Sequence, residues 1–188
     1  MNLILTRHGE TIENIKKIYQ GQKIQGTLSK LGIEQAKKLA LRLKDEKIDY
    51  IYSSDLARAL DTAKEIAKFH QDIPLILVKE LRERASKTLA GKHTSEIDFK
   101  NLPTDTETRA DMRKRVKKLL DQVYEKCPDK TILFVGHAGI NKSLIRVILN
   151  KPDDYNLDHQ FNTAVNIFEI KEDKNHKIIC LNCTKHLK

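Results

Sequence analysis

The chain has 188 residues, of which 39% are hydrophobic and 32% charged, with only 4 Pro and 7 Gly; this composition excludes a disordered or fibrous protein and predicts one globular domain over residues 1–188. The formal net charge of +9 raises the question of nucleic acid and otherwise favours a small anionic partner. No apolar run reaches the length of a membrane-spanning helix, and no basic segment with a long apolar core opens the chain, so no membrane association is expected and the cytoplasm is the default compartment.

In chain order, Asn2 to Thr6 reads as a strand. Leu31, Gln35-Ala36, Leu39-Ala40 and Leu43 then recur at helical spacing behind Ser29, which suits an N-cap. A strand follows from Ile48 to Tyr52, and Ser53-Ser54-Asp55 is placed to cap a helix that carries Leu56, Ala59-Leu60, Ala63 and Ile66-Ala67 on one face. A short strand covers Leu75 to Val78, and Arg84 to about Thr104 is polar and irregular. A long helix comes next, marked by Met112, Val116, Leu119, Leu120 and Val123. The same segment holds the densest basic cluster, Arg113-Lys114-Arg115 with Lys117-Lys118. Its helical spacing assigns those charges to solvated faces, and without interleaved aromatics or a known binding motif no nucleic-acid partner is expected. Thr131 to Val135 reads as a buried strand, Ile140 to Leu149 as a helix, and Thr163 to Ile170 and Lys177 to Cys183 as strands. Cys127, Cys180 and Cys183 are an odd number without scaffold spacing, which suits a reducing compartment. Cys180-x-x-Cys183 with His186 lacks a second ligand pair for zinc, and the alternation there favours the strand.

Alternating strands and helices predict an α/β fold with helices on both faces of the sheet, and in such sheets ligands bind beyond the carboxyl ends of the strands. Arg7-His8 follows the first strand; Arg58 lies one turn into the helix after the second; Glu83 follows the third; Gly136-His137-Ala138-Gly139 follows the strand at Thr131. Two histidines, two arginines and a carboxylate should therefore meet on one rim. A histidine near its ordinary pKa of about 6.5 is largely neutral and nucleophilic at pH 7, and an adjacent guanidinium can grip an anion. Each residue has a plainer reading by itself, such as a surface pair between Arg58 and Asp61, but the recurrence at successive strand ends points to phosphoryl transfer.

Arg7-His8-Gly9-Glu10-Thr11, Asn14, Gln20-Gly21, Thr27-Leu28-Ser29 with Gly32 and Gln35-Ala36, Ser53-Ser54-Asp55-Leu56 with Arg58 and Thr62-Ala63, and Gly136-His137-Ala138-Gly139 together resemble the histidine phosphatase superfamily. The resemblance covers nearly the whole chain. It implies a mostly parallel central sheet flanked by helices, as in phosphoglycerate mutases. It also implies attack by His8 on phosphorus, a phosphohistidine intermediate, and hydrolysis of that intermediate by water. Arg7, Arg58 and His137 would stabilise the phosphoryl oxygens, with Asn14, Gln20, Gly21 and Ala138 also at the phosphate. Glu83 would protonate the leaving oxygen and then take a proton from water, a role for which Glu10 is a poorer candidate. No metal or other cofactor is implied; a metal held by His8, Glu10, Glu83 and His137 is the rival use of these residues, opposed by the two neighbouring arginines.

The stretch Arg84 to Gly91 departs from the family pattern, with Ala90 where many relatives carry an acid, and Ala138 stands where a second glycine is usual. The short segment from Arg84 to Thr104 and its scattered cations favour a phosphatase with an open pocket over a bisphosphoglycerate-dependent phosphoglycerate mutase. A non-catalytic phosphate-binding module should have lost part of the set, and none is lost. The substrate is expected to be a small phosphorylated anion selected by the loop from Ser86 to Thr104 and by Lys16 to Gln25.

Overall fold

The computed structural model describes residues 1–188. A single six-stranded sheet organises the chain, formed by β1 (Asn2–Arg7), β2 (Tyr50–Ser53), β3 (Leu75–Leu77), β4 (Thr131–Gly136), β5 (Val165–Glu169) and β6 (Lys177–Cys183). The strand order is β3-β2-β4-β1-β5-β6; the first four are parallel, and β5 and β6 are antiparallel to their neighbours. The helices are the single turn α1 (Ile12–Ile15), α2 (Lys30–Leu43), α3 (Ala57–Ala67), α4 (Arg109–Lys126) and α5 (Ala138–Ile148). No helix is long and apolar enough to cross a membrane.

The central strands are apolar on both faces because both faces are covered. With side chains alternating along a strand, Leu3, Leu5, Ile132 and Phe134 point into a core shared with Met112, Val116 and Leu120 of α4 and Ile140, Leu144 and Ile148 of α5. Ile4, Leu133, Val135 and Ile51 point the other way, onto Leu39 and Leu43 of α2 and Ala59, Ala63 and Ile66 of α3. Ser29 caps α2 as its spacing predicts, its hydroxyl accepting from the Gly32 N–H at 2.9 Å.

Several boundaries differ from the sequence reading, each for a local reason. The second strand runs from Tyr50 to Ser53, because Ile48 sits in a turn that bonds back to Glu46 and is buried there without joining the sheet. The cap of α3 is Leu56, with no side-chain cap bond; Ser54 faces His137, and Asp55 pairs with Arg82. Helix α5 starts at Ala138, two residues before its apolar periodicity becomes visible. The fifth strand is shorter than Thr163 to Ile170, since Thr163 has a positive φ of 55°. Cys180 and Cys183 both lie in β6, as the alternation predicts.

The register Arg7↔Gly136 sets the site. Parallel neighbours stop level with each other, so His8 and His137 emerge side by side, with the His8 N–H donating to the Gly136 carbonyl at 3.0 Å. On the other side of this turn α2 approaches so closely that a Cβ on Gly32 would lie 1.9 Å from the Glu10 carbonyl oxygen, and one on Gly9 would lie 2.5 Å from that of Gly32. Gly32→Ala is therefore expected to destabilise the protein by about 3 kcal/mol, the upper part of the overpacking range, measured by urea denaturation. Wild-type stability in that variant would show that the contact can relax.

Candidate active site

Arg7 and His8 sit on the last residue of β1 and the one after it, and both are buried. The His8 Nδ1 lies 2.7 Å from the Gly9 carbonyl oxygen. A carbonyl only accepts, so Nδ1 carries the proton and Nε2 presents its lone pair, the tautomer a nucleophile needs. Thr62 accepts from the Gly9 N–H at 3.0 Å, and Asn162 donates to the His8 carbonyl at 3.0 Å, bracing this turn from both sides. The Arg7 Nη1 donates to the Gln160 carbonyl at 2.8 Å and lies 3.4 Å from His159 Nε2, while its Nε has no partner.

Arg58, the second residue of α3, is 1% exposed. Its Nε donates to His137 Nδ1 at 3.1 Å, Nη1 to the carbonyls of Ile24 and Gln25, and Nη2 to that of Gly21 at 2.9 Å. Four of the five guanidinium N–H donors are thus satisfied by neutral acceptors, which leaves one on Nη2. The surface pair with Asp61 does not form; that carboxylate meets Lys64. Burial lowers the Arg58 pKa to about 10, so the group stays charged at neutral pH.

His137 accepts at Nδ1, so its proton is on Nε2, which lies 2.9 Å from Ser54 Oγ. Both ring nitrogens are thus engaged within the protein, and the expected donation to a phosphoryl oxygen would require His137 to release Ser54. As placed, it orients Arg58 and lies beside His8, with the ring centroids 5.1 Å apart.

Glu83 reaches the N-terminus of α5. Its carboxylate oxygens accept from the backbone N–H of Arg84 at 2.8 Å and of Gly139 at 2.9 Å. A Cβ at 139 would lie 2.2 Å from Glu83 Oε1, so glycine there lets the carboxylate sit against the helix as placed. The Glu83 carbonyl is held by Gln22 Nε2 at 2.8 Å and by Arg115 Nη2 at 3.2 Å. Arg115, read from sequence as a solvated charge, is paired with Glu107 and braces this turn.

Arg7, His8, Asn14, Gln20, Gly21, Arg58, Glu83 and Ala138 line one pocket of about 590 Å³. Asn14 and Thr11 cap α1 reciprocally, Thr11 N–H to Asn14 Oδ1 at 3.1 Å, which leaves the Asn14 Nδ2 group for a ligand. Gln20 is buried, donates to Thr11 Oγ1 at 3.0 Å and keeps Oε1 unpaired. Gly21 contributes its carbonyl to Arg58. Ala138 opens α5, where backbone N–H groups lack intrahelical partners and favour anions. Glu10 instead accepts from Ser29 Oγ at 2.7 Å and does not line the pocket. No group of three or more His, Cys, Asp or Glu side chains is arranged to hold a metal ion. A larger cavity of about 670 Å³, lined by Arg113, Tyr124 and His176 among others, contains none of these residues.

A family model described as the histidine phosphatase superfamily (branch 1) matches residues 3–184. The chain belongs to this superfamily. Two relatives from Arabidopsis thaliana are each 30% identical to it. One is a phosphoglycerate mutase-like protein 4, matched over 89% of this chain and 79% of its own length, and the other a metal-independent phosphoserine phosphatase, matched over 92% and 77%. A phosphoserine phosphatase from Entamoeba histolytica, solved with 3-phosphoglyceric acid, has 29% identity and a TM-score of 0.84 over 100% of this chain and 99% of that one. In this histidine phosphatase, sequence reasoning gave Ser54 and Thr62 no role at the site, though both stand in the motifs, and it missed Gln160 and Asn162. Ser54 reads as a helix cap, and the segment before β5 shows no periodicity to mark it.

Burial holds both His8 and His137 well below the ordinary imidazole pKa, and the nearby charges of Arg7 and Arg58 add to it. The unfolded chain takes up protons near pH 6.5 and the folded one does not, so stability falls as pH drops below that value. The slope is up to about 1.4 kcal/mol per pH unit for each histidine. Between pH 7 and 5 the wild-type Tm should fall more steeply than that of His8→Gln; parallel slopes would show that His8 is not held neutral.

Proposed function

We propose that this chain is a metal-independent phosphomonoester hydrolase that works through a phosphohistidine on His8. The observation that carries this reading is the pinned tautomer of His8 between two buried guanidinium groups with no carboxylate bound to either. Nε2 attacks phosphorus in line as the ester P–O bond breaks, and the leaving oxygen takes a proton from Glu83. Water then attacks the phosphohistidine, gives a proton to Glu83, and the P–N bond breaks to release inorganic phosphate and neutral His8. Arg7, through Nε and Nη2, and Arg58, through its remaining Nη2 proton, stabilise the equatorial oxygens, the charge neutralisation that a divalent cation would otherwise supply. His137 and Ser54 keep Arg58 aimed. Asn14, Gln20, Gly21 and Ala138 complete the phosphate cradle.

The substrate is a small phosphorylated anion, in line with the relatives named for phosphoserine. Three free cysteines agree with action in the cytoplasm. Phosphate release from phosphomonoesters is expected to outpace bisphosphate-primed interconversion of phosphoglycerates, and the reverse order would make the chain a mutase.

Glu83→Gln should lower kcat on alkyl phosphates by about 10²–10⁴-fold, the range for general acid–base catalysis. With p-nitrophenyl phosphate, whose leaving group needs no proton, the same variant should show a burst of nitrophenol and then slow turnover. His8→Ala should show neither burst nor turnover; hydrolysis by that purified variant would remove the phosphohistidine from the mechanism.

A further inference from the structure

Beyond the phosphate cradle the pocket has a charged wall that the mechanism does not use. After Ala138 and Gly139, α5 presents Lys142, Ser143 and Arg146 to the same pocket, and Arg109 at the start of α4 joins them. At 1.5 Å rise per residue, Lys142 and Arg146 stand about 6 and about 12 Å along the helix from Ala138. Helical side chains lean towards the N-terminus, here towards the phosphate cradle.

None of the three cations is in a salt bridge. Each instead donates once to a main-chain carbonyl of the covering segment: Arg109 to Asp153 at 3.2 Å, Arg146 to Tyr155 at 2.9 Å and Lys142 to Leu157 at 2.9 Å. A carbonyl is neutral, so the positive charge persists and further N–H donors remain on each group. Of the nearby carboxylates, Asp153 is paired with Arg113, and Asp154 and Asp158 are exposed. Burial first lowers the pKa of both Lys142 and Arg146; Arg146 and Arg109 add to it at Lys142 against Asp158, and Arg109 and Arg113 add to it at Arg146 against Asp153 and Asp154.

A second observation is independent of charge. Ser143 is 5% exposed, and its Oγ has no hydrogen-bond partner. Buried hydroxyls are nearly always paired, and this one lines the same pocket as Lys142 and Arg146. Ile18, Tyr19 and Phe99 also line the pocket and supply uncharged surface.

We propose that Lys142, Ser143, Arg146 and Arg109 form a second anion subsite. The substrate is then a small phosphomonoester that carries a further carboxylate or phosphate about one helical turn from the scissile group. This rests on the phosphatase reading above. A carboxylate at the far end of a three-carbon phosphoester lies about 5 Å from phosphorus, given bonds of about 1.5 Å, which matches the first cation of the row.

The test compares matched substrates: 3-phosphoglycerate with glycerol 3-phosphate for the carboxylate, and fructose 1,6-bisphosphate with fructose 6-phosphate for the second phosphate. The wild type should favour the doubly anionic member of at least one pair by about tenfold or more in kcat/KM, the size of one charge-assisted contact; the pair with the larger ratio identifies the anion. Lys142→Met and Arg146→Met should each cut that ratio about tenfold, mainly through KM, and Lys142→Arg should restore it. Equal efficiency within both pairs, or loss in equal proportion on both members, would overturn the subsite. Calorimetry of the same four compounds on His8→Ala protein separates the two proposals. A binding preference without turnover by wild type leaves the subsite and removes the phosphatase, whereas turnover without preference does the opposite.

Discussion

Two guanidinium groups buried at the end of the sheet, Arg7 and Arg58, are the constraint around which the rest of this structure is arranged. Taking a charge out of water costs several kcal/mol unless hydrogen bonds and counter-charge compensate, and here the compensation is nearly all neutral. The segment from Gly21 to Gly26 wraps Arg58 so that three backbone carbonyls face it, and a Cβ on Gly26 would approach the Arg58 Cδ within 2.9 Å. The pocket therefore keeps an unsatisfied positive field. That field attracts a phosphoryl group, and it also adds to burial in keeping His8 unprotonated. One arrangement thus supplies both the anion site and the nucleophile.

The sheet converts this chemistry into geometry. Because β4 lies between β1 and β2, the turns after all three strands meet without a long loop, and the register of Arg7 against Gly136 sets the two histidines side by side. Tautomers follow from partners: the Gly9 carbonyl fixes one imidazole and Arg58 the other, in opposite senses. Ser54 and Thr62, both fully buried, tie the start of α3 to the turns that carry these rings.

Helix α5 serves two charges at once. Its first turn donates to the Glu83 carboxylate, which holds that group at the pocket lined by Arg7, His8 and Arg58. Its following turns carry Lys142 and Arg146 up the pocket wall, where the carbonyls of Leu157 and Tyr155 accept from them. The Glu83 contact and the two cations thus lie along one rigid element, which holds their spacing.

The sequence by itself determined the order of the main strands and helices, the cap of α2, and the four strand-end motifs. Apolar periodicity and turn chemistry are local and leave marks in consecutive residues. It also placed Arg7, His8, Arg58, Glu83 and His137 on one rim, because strand ends in such a sheet converge. Only the tertiary structure decided that Ser54 serves His137 before it serves its own helix, that Arg115 braces Glu83, and that Arg58 is buried and shuns Asp61. It alone brought Arg109, Lys142 and Arg146 under an aperiodic segment. The reason is the same in each case: a polar side chain's partner is chosen by distance in space among acceptors remote in the chain, and no local pattern records that choice.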